Sequence, residues 1–208
     1  MAKFISTTFG SISGKHGTAV AVTTKDGKTY LRLHRVPTNP NSEKQQIQRA
    51  KFGFSNKVLN PFNSLFRETF GFSKGANMGR SYAFRNAIVG EFPEFSLDYE
   101  KLKFSFGNVN QALNISIDVT DTTAELNWDF VEAVNSKADD SLNLIFFNEE
   151  TQLSLHCKDV AMRAELHTEY QLPDAWKDSA VYCWVYFRSQ SSSGFSSSES
   201  QFVAKVEL

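Results

Sequence analysis

Cysteine and long apolar runs are scarce in this 208-residue sequence, and their scarcity excludes several classes of protein. Two cysteines, Cys157 and Cys183, are too few for a small disulfide framework. We expect both to be buried free thiols; a disulfide between their two predicted strands is the alternative. No stretch approaches the roughly 18 apolar residues of a transmembrane helix, so no membrane association is predicted. The first ten residues contain no apolar run of signal-peptide length. We therefore expect a cytoplasmic chain, with assembly into a virion or export by another route left open.

Sequence patterns that carry catalytic chemistry are incomplete. Residues 71–75 match the G-x-S-x-G nucleophile elbow, but they follow a predicted helix instead of a parallel strand. Residues 10–16 resemble a phosphate loop, yet only three residues separate Gly10 from Gly14, and His16 stands where the motif needs Ser or Thr. The first segment is interpreted as a loop that ends the preceding helix, and the second as a turn that leads into the first strand.

Metal and acid–base sites are not indicated either. Four histidines are scattered along the chain: His16, His34, His156 and His167. None has the ligand spacing of a zinc site. The acidic pairs Asp139-Asp140 and Glu149-Glu150 are interpreted as solvated loop acids. The sequence therefore predicts no catalytic, cofactor-binding or metal-binding residue and no small-molecule substrate, and we expect a protein that is not an enzyme.

The charge is divided unevenly along the chain, although the net charge is only -1. Residues 1–90 contain 14 Lys and Arg against three acids, a net charge of +11, whereas residues 91–208 have a net charge of -12. Such asymmetry points to an anionic partner for the basic half, or to attraction between the halves within one chain or between chains. A third interpretation also remains: the charged surfaces are solvated and bind no partner.

Residues 1–90 are predicted to form a β-hairpin followed by three helices. Asp26-Gly27 lies between two apolar strands and is a strong hairpin signal. Ser42 and Gln45 fit a capping box for a helix to about Leu59. A second helix starts at Asn60-Pro61, and a third spans Ala76 to Val89.

From Phe95 onward the apolar pattern changes to a period of two, which is typical of strands. Eight candidate strands are predicted: 95–106, 114–119, 123–129, 142–147, 153–158, 164–172, 181–188 and 201–208. A Ser-rich segment, 189–198, is expected to join the last two strands as a loop. The predicted fold class is α+β: an N-terminal hairpin with three helices, 1–90, and an all-β sandwich of the immunoglobulin or fibronectin type III kind, 91–208.

Two groups of residues are candidates for interaction. The first is basic and could follow a phosphate backbone: Arg32, Arg35, Arg49 and Lys51, together with Lys57. The second is the aromatic stripe Tyr182, Trp184 and Tyr186, which share one face of a strand. This stripe is interpreted either as an exposed recognition patch or as a surface buried under the hairpin or another chain.

Three segments in a fixed order resemble the N-terminal signature of an uncharacterised bacterial family. They are residues 13–17 (SGKHG), 35–41 (RVPTNPN) and 45–52 (QQIQRAKF), and residues 84–88 followed by Gly90 and Pro93 are similar too. His16 departs from the family, which more often has valine there. The resemblance implies a protein of about 200 residues with a domain of unknown function, and it carries over no catalytic residue.

The leading functional hypothesis is a non-enzymatic interaction or assembly protein of the virion, mobile-element or cell-surface type. This hypothesis predicts a protein partner or self-association, because opposite charge at the two ends of a chain permits head-to-tail contacts. The alternative is a nucleic-acid-associated module that uses the basic half.

Overall fold

The computed structural model describes residues 2–4, 13–36, 38–70, 75–191 and 194–208. The chain divides into two compact units, unit 1 (Met1–Ser42) and unit 2 (Glu43–Leu208). Sequence periodicity places a boundary at Gly90, but the structure groups the three helices with the sandwich, because they bury their apolar faces against its sheet. Residues 10–12 and 71–74, which hold most of the two glycine-rich motifs, lie outside the described residues.

Unit 1 contains a four-stranded antiparallel sheet in the order β1–β4–β3–β2. Its strands are β1 (Ala2–Phe4), β2 (Gly14–His16), β3 (Ala19–Thr23) and β4 (Thr29–Leu33). The predicted hairpin is confirmed as β3–β4. At its turn the Thr24 amide donates to the Lys28 carbonyl at 2.9 Å, and Gly27 has a φ of 74°, a conformation that favours glycine.

Unit 2 begins with three helices. They are α1 (Glu43–Val58), α2 (Asn63–Phe70) and α3 (Gly75–Asn86). Leu65 and Phe66 of α2 are buried, as is Phe62 just before the helix. Helix α3 approaches α2 closely at Gly79, where an added Cβ would lie 2.3 Å from the Phe66 ring. None of the helices in the described residues is long and apolar enough to cross a bilayer.

Helix α3 ends at Asn86, earlier than the predicted Val89. The following residues form the strand β5 (Ile88–Glu91), which pairs with β6 (Glu94–Leu97) in a small hairpin. An added Cβ at Gly90 would lie 2.4 Å from the Glu94 carbonyl oxygen, so glycine permits this close pairing. Local pairing of β-branched residues therefore overrides the helical pattern here.

The remaining strands form two facing antiparallel sheets. They are β7 (Leu113–Thr120), β8 (Thr123–Asp129), β9 (Ser141–Asn148), β10 (Leu153–Met162), β11 (His167–Gln171), β12 (Ala180–Ser191), β13 (Gly194–Ser197) and β14 (Gln201–Glu207). One sheet has the order β11–β8–β7; the other has β10–β9–β12–β13, with β14 also paired to β12. This is the predicted fibronectin type III-like sandwich. The expected Ser-rich loop is instead largely the paired hairpin β12–β13.

Strand β12 separates two hydrophobic cores. Val181, Cys183 and Val185 point into the core between the two sheets, which also contains Trp128, 3% exposed. The alternate side chains of β12 belong to a second core beneath the helices. Both faces of this central strand are therefore buried, as its continuous apolar sequence predicts.

The core beneath the helices is built largely from aromatic rings. The Phe62 ring lies 4.4 Å from that of Phe147, and the Phe66 ring stacks 5.5 Å from that of Phe104 (centroid distances). Many of the 19 phenylalanines thus serve to attach helices to the five-stranded sheet. Unit 2 is a three-layer structure: helices, five-stranded sheet and three-stranded sheet.

Both cysteines are free and buried, which confirms the expected thiols. Cys157 on β10 is opposite Leu144, and Cys183 on β12 is opposite Phe146, so the strand β9 lies between them. Two strand spacings amount to about 10 Å, which exceeds the span of a disulfide. Burial raises the pKa of both thiols and keeps them protonated.

Candidate interaction surfaces

Exposed side chains of α1 and α3 form a basic surface, which we call the helical face. Its members are Arg49, Phe52, Lys57, Met78, Ser81 and Arg85. The three helices together contain seven Lys and Arg residues and only two acids, Glu43 and Glu68. Basic and large apolar side chains are therefore both exposed on these two helices.

A groove of about 510 Å³ lies along α3 within the helical face. Met78, Tyr82, Arg85 and Phe106 line it, and Met78 is 50% exposed. Two of the lining rings, those of Tyr82 and Phe106, meet edge-on at 5.0 Å. An apolar depression with a guanidinium at its rim suits a partner that is apolar and acidic.

The contact between α1 and α3 holds the helical face together. Arg80 on α3 donates to the Asn56 side chain on α1 at 2.8 Å. The Phe52 ring meets the Phe84 ring edge-on at 6.4 Å, and Lys51 Nζ lies 5.1 Å from the centre of the Phe84 ring. Lys51 thus packs partly on an aromatic ring rather than extending freely into solvent.

The outer side of the three-stranded sheet, which we call the sheet face, is acidic. Its strands β7, β8 and β11 contain four carboxylates and no Lys or Arg. Asp118 is directly opposite Glu125 on the neighbouring strand, and Glu125 is directly opposite Glu169. The three carboxylates form a row across the sheet, with Asp118 and Glu169 exposed and Glu125 half-buried.

The helical face and the sheet face lie on opposite sides of unit 2. Helices cover one side of the five-stranded sheet through the aromatic core, and the three-stranded sheet covers the other side. Within this unit, the charge asymmetry of the sequence therefore becomes a basic surface and an acidic surface on opposed layers.

The predicted basic residues belong to different units. Arg32 is an exposed residue of β4 and Arg35 an exposed residue just after it, both in unit 1. Arg49 and Lys51 belong to α1 in unit 2, where Arg49 is exposed and Lys51 is half-buried. The structure thus joins Arg49 and Lys51 on the helical face, and their role in interaction stays a prediction.

The aromatic stripe is not an exposed recognition patch. Tyr182, Trp184 and Tyr186 are 8%, 0% and 7% exposed, and all three belong to the core beneath the helices. Helices of the same unit and the segment around Tyr99, whose ring stacks 4.0 Å from Tyr182, cover the stripe. A strand pattern shows that both faces are apolar, but it does not show which element covers each face.

A polar cluster at the edge of this core, buried at Tyr186, partly buried at His156 and exposed at Glu68 and Lys158, was not anticipated from the sequence. His156 Nε2 lies 2.8 Å from the hydroxyl oxygen of Tyr186, and His156 Nδ1 lies 3.2 Å from a carboxylate oxygen of Glu68 on α2. Lys158 donates a hydrogen bond to the other oxygen of Glu68. The cluster connects α2 to two strands of the five-stranded sheet. Since its members are distant in sequence, only the tertiary structure could reveal it.

Lowering the pH below about 6.5 should destabilise the docking of α2, because His156 titrates there in the unfolded chain. Burial lowers the pKa of His156, despite the opposing effect of Glu68, so protonation favours the unfolded state. Burial raises the pKa of Glu68, but Lys158 and His156 lower it by more, so the net shift is downward. The ionised Glu68 therefore stabilises the folded chain, and this stabilisation is lost only at still lower pH. Urea unfolding at pH 7.5 and at pH 5.5 measures the decrease in the free energy of unfolding.

The matched control is the exposed His167. His156→Gln should reduce the difference between the free energies of unfolding at pH 7.5 and at pH 5.5. His167→Gln should leave that difference unchanged. An equal pH dependence in wild type and His156→Gln would contradict this assignment.

Comparison with known proteins identifies the family. A model of a family of unknown function, DUF6266, matches residues 11–203. The chain belongs to DUF6266. This confirms the expected membership of an uncharacterised family, while the three-segment signature and a bacterial source stay predictions.

Other comparisons add little to the DUF6266 assignment. No curated protein matches the sequence. Among solved structures, the FN1–FN3 domains of chicken CNTN1 are similar over 55% of this chain at 12% identity, with a TM-score of 0.33. The match spans 37% of that structure, and the sandwich assignment rests on the strand order described above. Within the described residues of this DUF6266 chain, no three His, Cys, Asp or Glu side chains form a metal-binding group.

Proposed function

We propose that this protein is a non-enzymatic assembly protein whose copies associate through surfaces of opposite charge. The observation that supports this proposal is the position of the basic helical face and the acidic sheet face on opposed layers of unit 2. Two different surfaces that attract each other give a head-to-tail contact, which builds rings or open chains.

Exposed charges predict a contact that depends on ionic strength. Salt screens such charges over about 10 Å at 0.1 M and over shorter distances at higher concentration. Complementary charge also accelerates encounter and fixes orientation more than it adds affinity. The assembly is therefore expected to form reversibly and to dissociate in high salt.

Light scattering after size exclusion, on the nuclease-treated full chain in low and in high salt, tests the proposal. We expect a mass above that of the monomer in low salt and the monomer mass in high salt. A monomer in both conditions would contradict self-association. Assembly that appears only after RNA or DNA is added back would instead support the nucleic-acid hypothesis.

A further inference from the structure

We infer that the helical face of one copy binds the sheet face of a second copy. This inference rests on the proposed function and names the two surfaces that would form the contact. Each surface lacks the charge that the other supplies: no Lys or Arg occurs in β7, β8 or β11, and the only acids of α1 and α3 are at the start of α1, at Glu43.

In the isolated chain, repulsion between like charges destabilises the sheet face. Like charges directly opposite each other on neighbouring strands destabilise a sheet, and Asp118, Glu125 and Glu169 form two such pairs in one row. Within the described residues, Asp118 and Glu125 have no hydrogen bond or ion pair through their side chains, while Glu169 lies 3.5 Å from the exposed His167. A basic surface laid over this row would relieve the repulsion.

The dimensions of the two surfaces match. The row of three carboxylates crosses three neighbouring strands and is therefore about 10 Å long. On the helical face, Arg49 and Lys57 are eight positions apart on the exposed side of α1, which corresponds to about 12 Å along the helix. Arg85 on the neighbouring helix adds a third cation at the rim of the groove.

Both surfaces also expose apolar side chains that a contact would bury. The helical face presents Phe52, which is 61% exposed, and the groove beside Met78. At one end of the sheet face, Leu113 and Leu166 are 47% and 45% exposed. They lie at the same end because Leu113 is opposite Asp129, the last residue of β8, and the Leu166 carbonyl accepts from the Trp128 amide. Burial of these groups supplies affinity that charge alone does not.

The test uses two charge-reversed variants of the full chain and the same light scattering. One carries Asp118→Lys, Glu125→Lys and Glu169→Lys; the other carries Arg49→Glu, Lys57→Glu and Arg85→Glu. Each alone presents two surfaces of like charge and should be a monomer in low salt. Their equimolar mixture should assemble again, because each variant then offers the surface that complements the other.

The matched control reverses three exposed acids outside both surfaces, Asp139→Lys, Glu150→Lys and Asp174→Lys, and should still assemble. Circular dichroism checks that every variant folds. If a reversed variant fails to fold, Asp118→Asn, Glu125→Gln and Glu169→Gln replace it and should weaken assembly.

The outcomes separate this inference from the proposed function. Wild-type assembly that both reversed variants retain would overturn the inference and leave the proposed function standing. A mixture that stays monomeric, from variants that are each folded and monomeric, would also overturn it. A wild-type monomer in low salt would overturn both.

Discussion

Trp184→Ala should lower the free energy of unfolding by about 3–5 kcal/mol, the range for deleting a buried large aromatic side chain. Trp184 is fully buried between the five-stranded sheet and the helical layer. Its ring meets that of Phe104 at 5.0 Å and that of Phe202 at 5.7 Å, and its indole nitrogen donates to the Tyr99 carbonyl at 3.3 Å. The substitution leaves a cavity and removes one of the two hydrogen bonds that the Tyr99 carbonyl accepts, the other coming from the Leu102 amide.

Urea unfolding in high salt, where the chain is expected to be a monomer, measures this loss. Phe52→Ala is the control, since Phe52 is 61% exposed on the helical face and its truncation should cost about 0.5–1 kcal/mol at most. A loss below about 1 kcal/mol at Trp184 would show that the helices do not cover the sheet as described.

Arg163→Met should be comparably destabilising, by about 3–5 kcal/mol, because it leaves a buried carboxylate unpaired. Arg163 and Asp140 are each 1% exposed, and Arg163 Nε donates to Asp140 Oδ2 at 3.0 Å. The Arg163 guanidinium also donates to the Asn110 carbonyl at 2.8 Å and lies 3.7 Å from the centre of the Phe187 ring. This side chain thus connects the loop before β7 to Asp140 and to the five-stranded sheet.

A double-mutant cycle separates the ion pair from the packing. Asp140→Asn combined with Arg163→Met should cost less than the sum of the single substitutions, because no unpaired charge remains. Lys177→Met is the control: its pair with Asp121 at 2.7 Å is exposed to solvent, so its loss should cost far less than the loss of the buried pair. Additive losses at Asp140 and Arg163 would contradict a coupled buried pair.

Much of the sandwich is predictable from sequence because its strands alternate clearly. The segment 123–129 is a strand with the predicted limits, and the inward position of Trp128 follows from the same alternation. The turn at Gly27 and the start of α1 directly after Ser42 also follow from local signals, so their prediction needs no knowledge of the tertiary structure.

The features that the sequence did not predict depend on contacts between distant segments. Asp140 looks like a solvated loop acid by composition, yet Arg163, 23 positions away, pairs with it in the core. Tyr186 shares an apolar face with Trp184, but which element covers that face is decided by α2 and α3. The unit boundary after Ser42 has the same origin, because the helices attach to strands that follow them by 50 residues or more.

The central claim, that opposed charged surfaces join copies of this chain, is tested most directly by sedimentation velocity of the full chain over a concentration series. In low salt the sedimentation coefficient should rise with concentration, and in high salt it should stay at the monomer value. A monomer value at every concentration in low salt would contradict the claim.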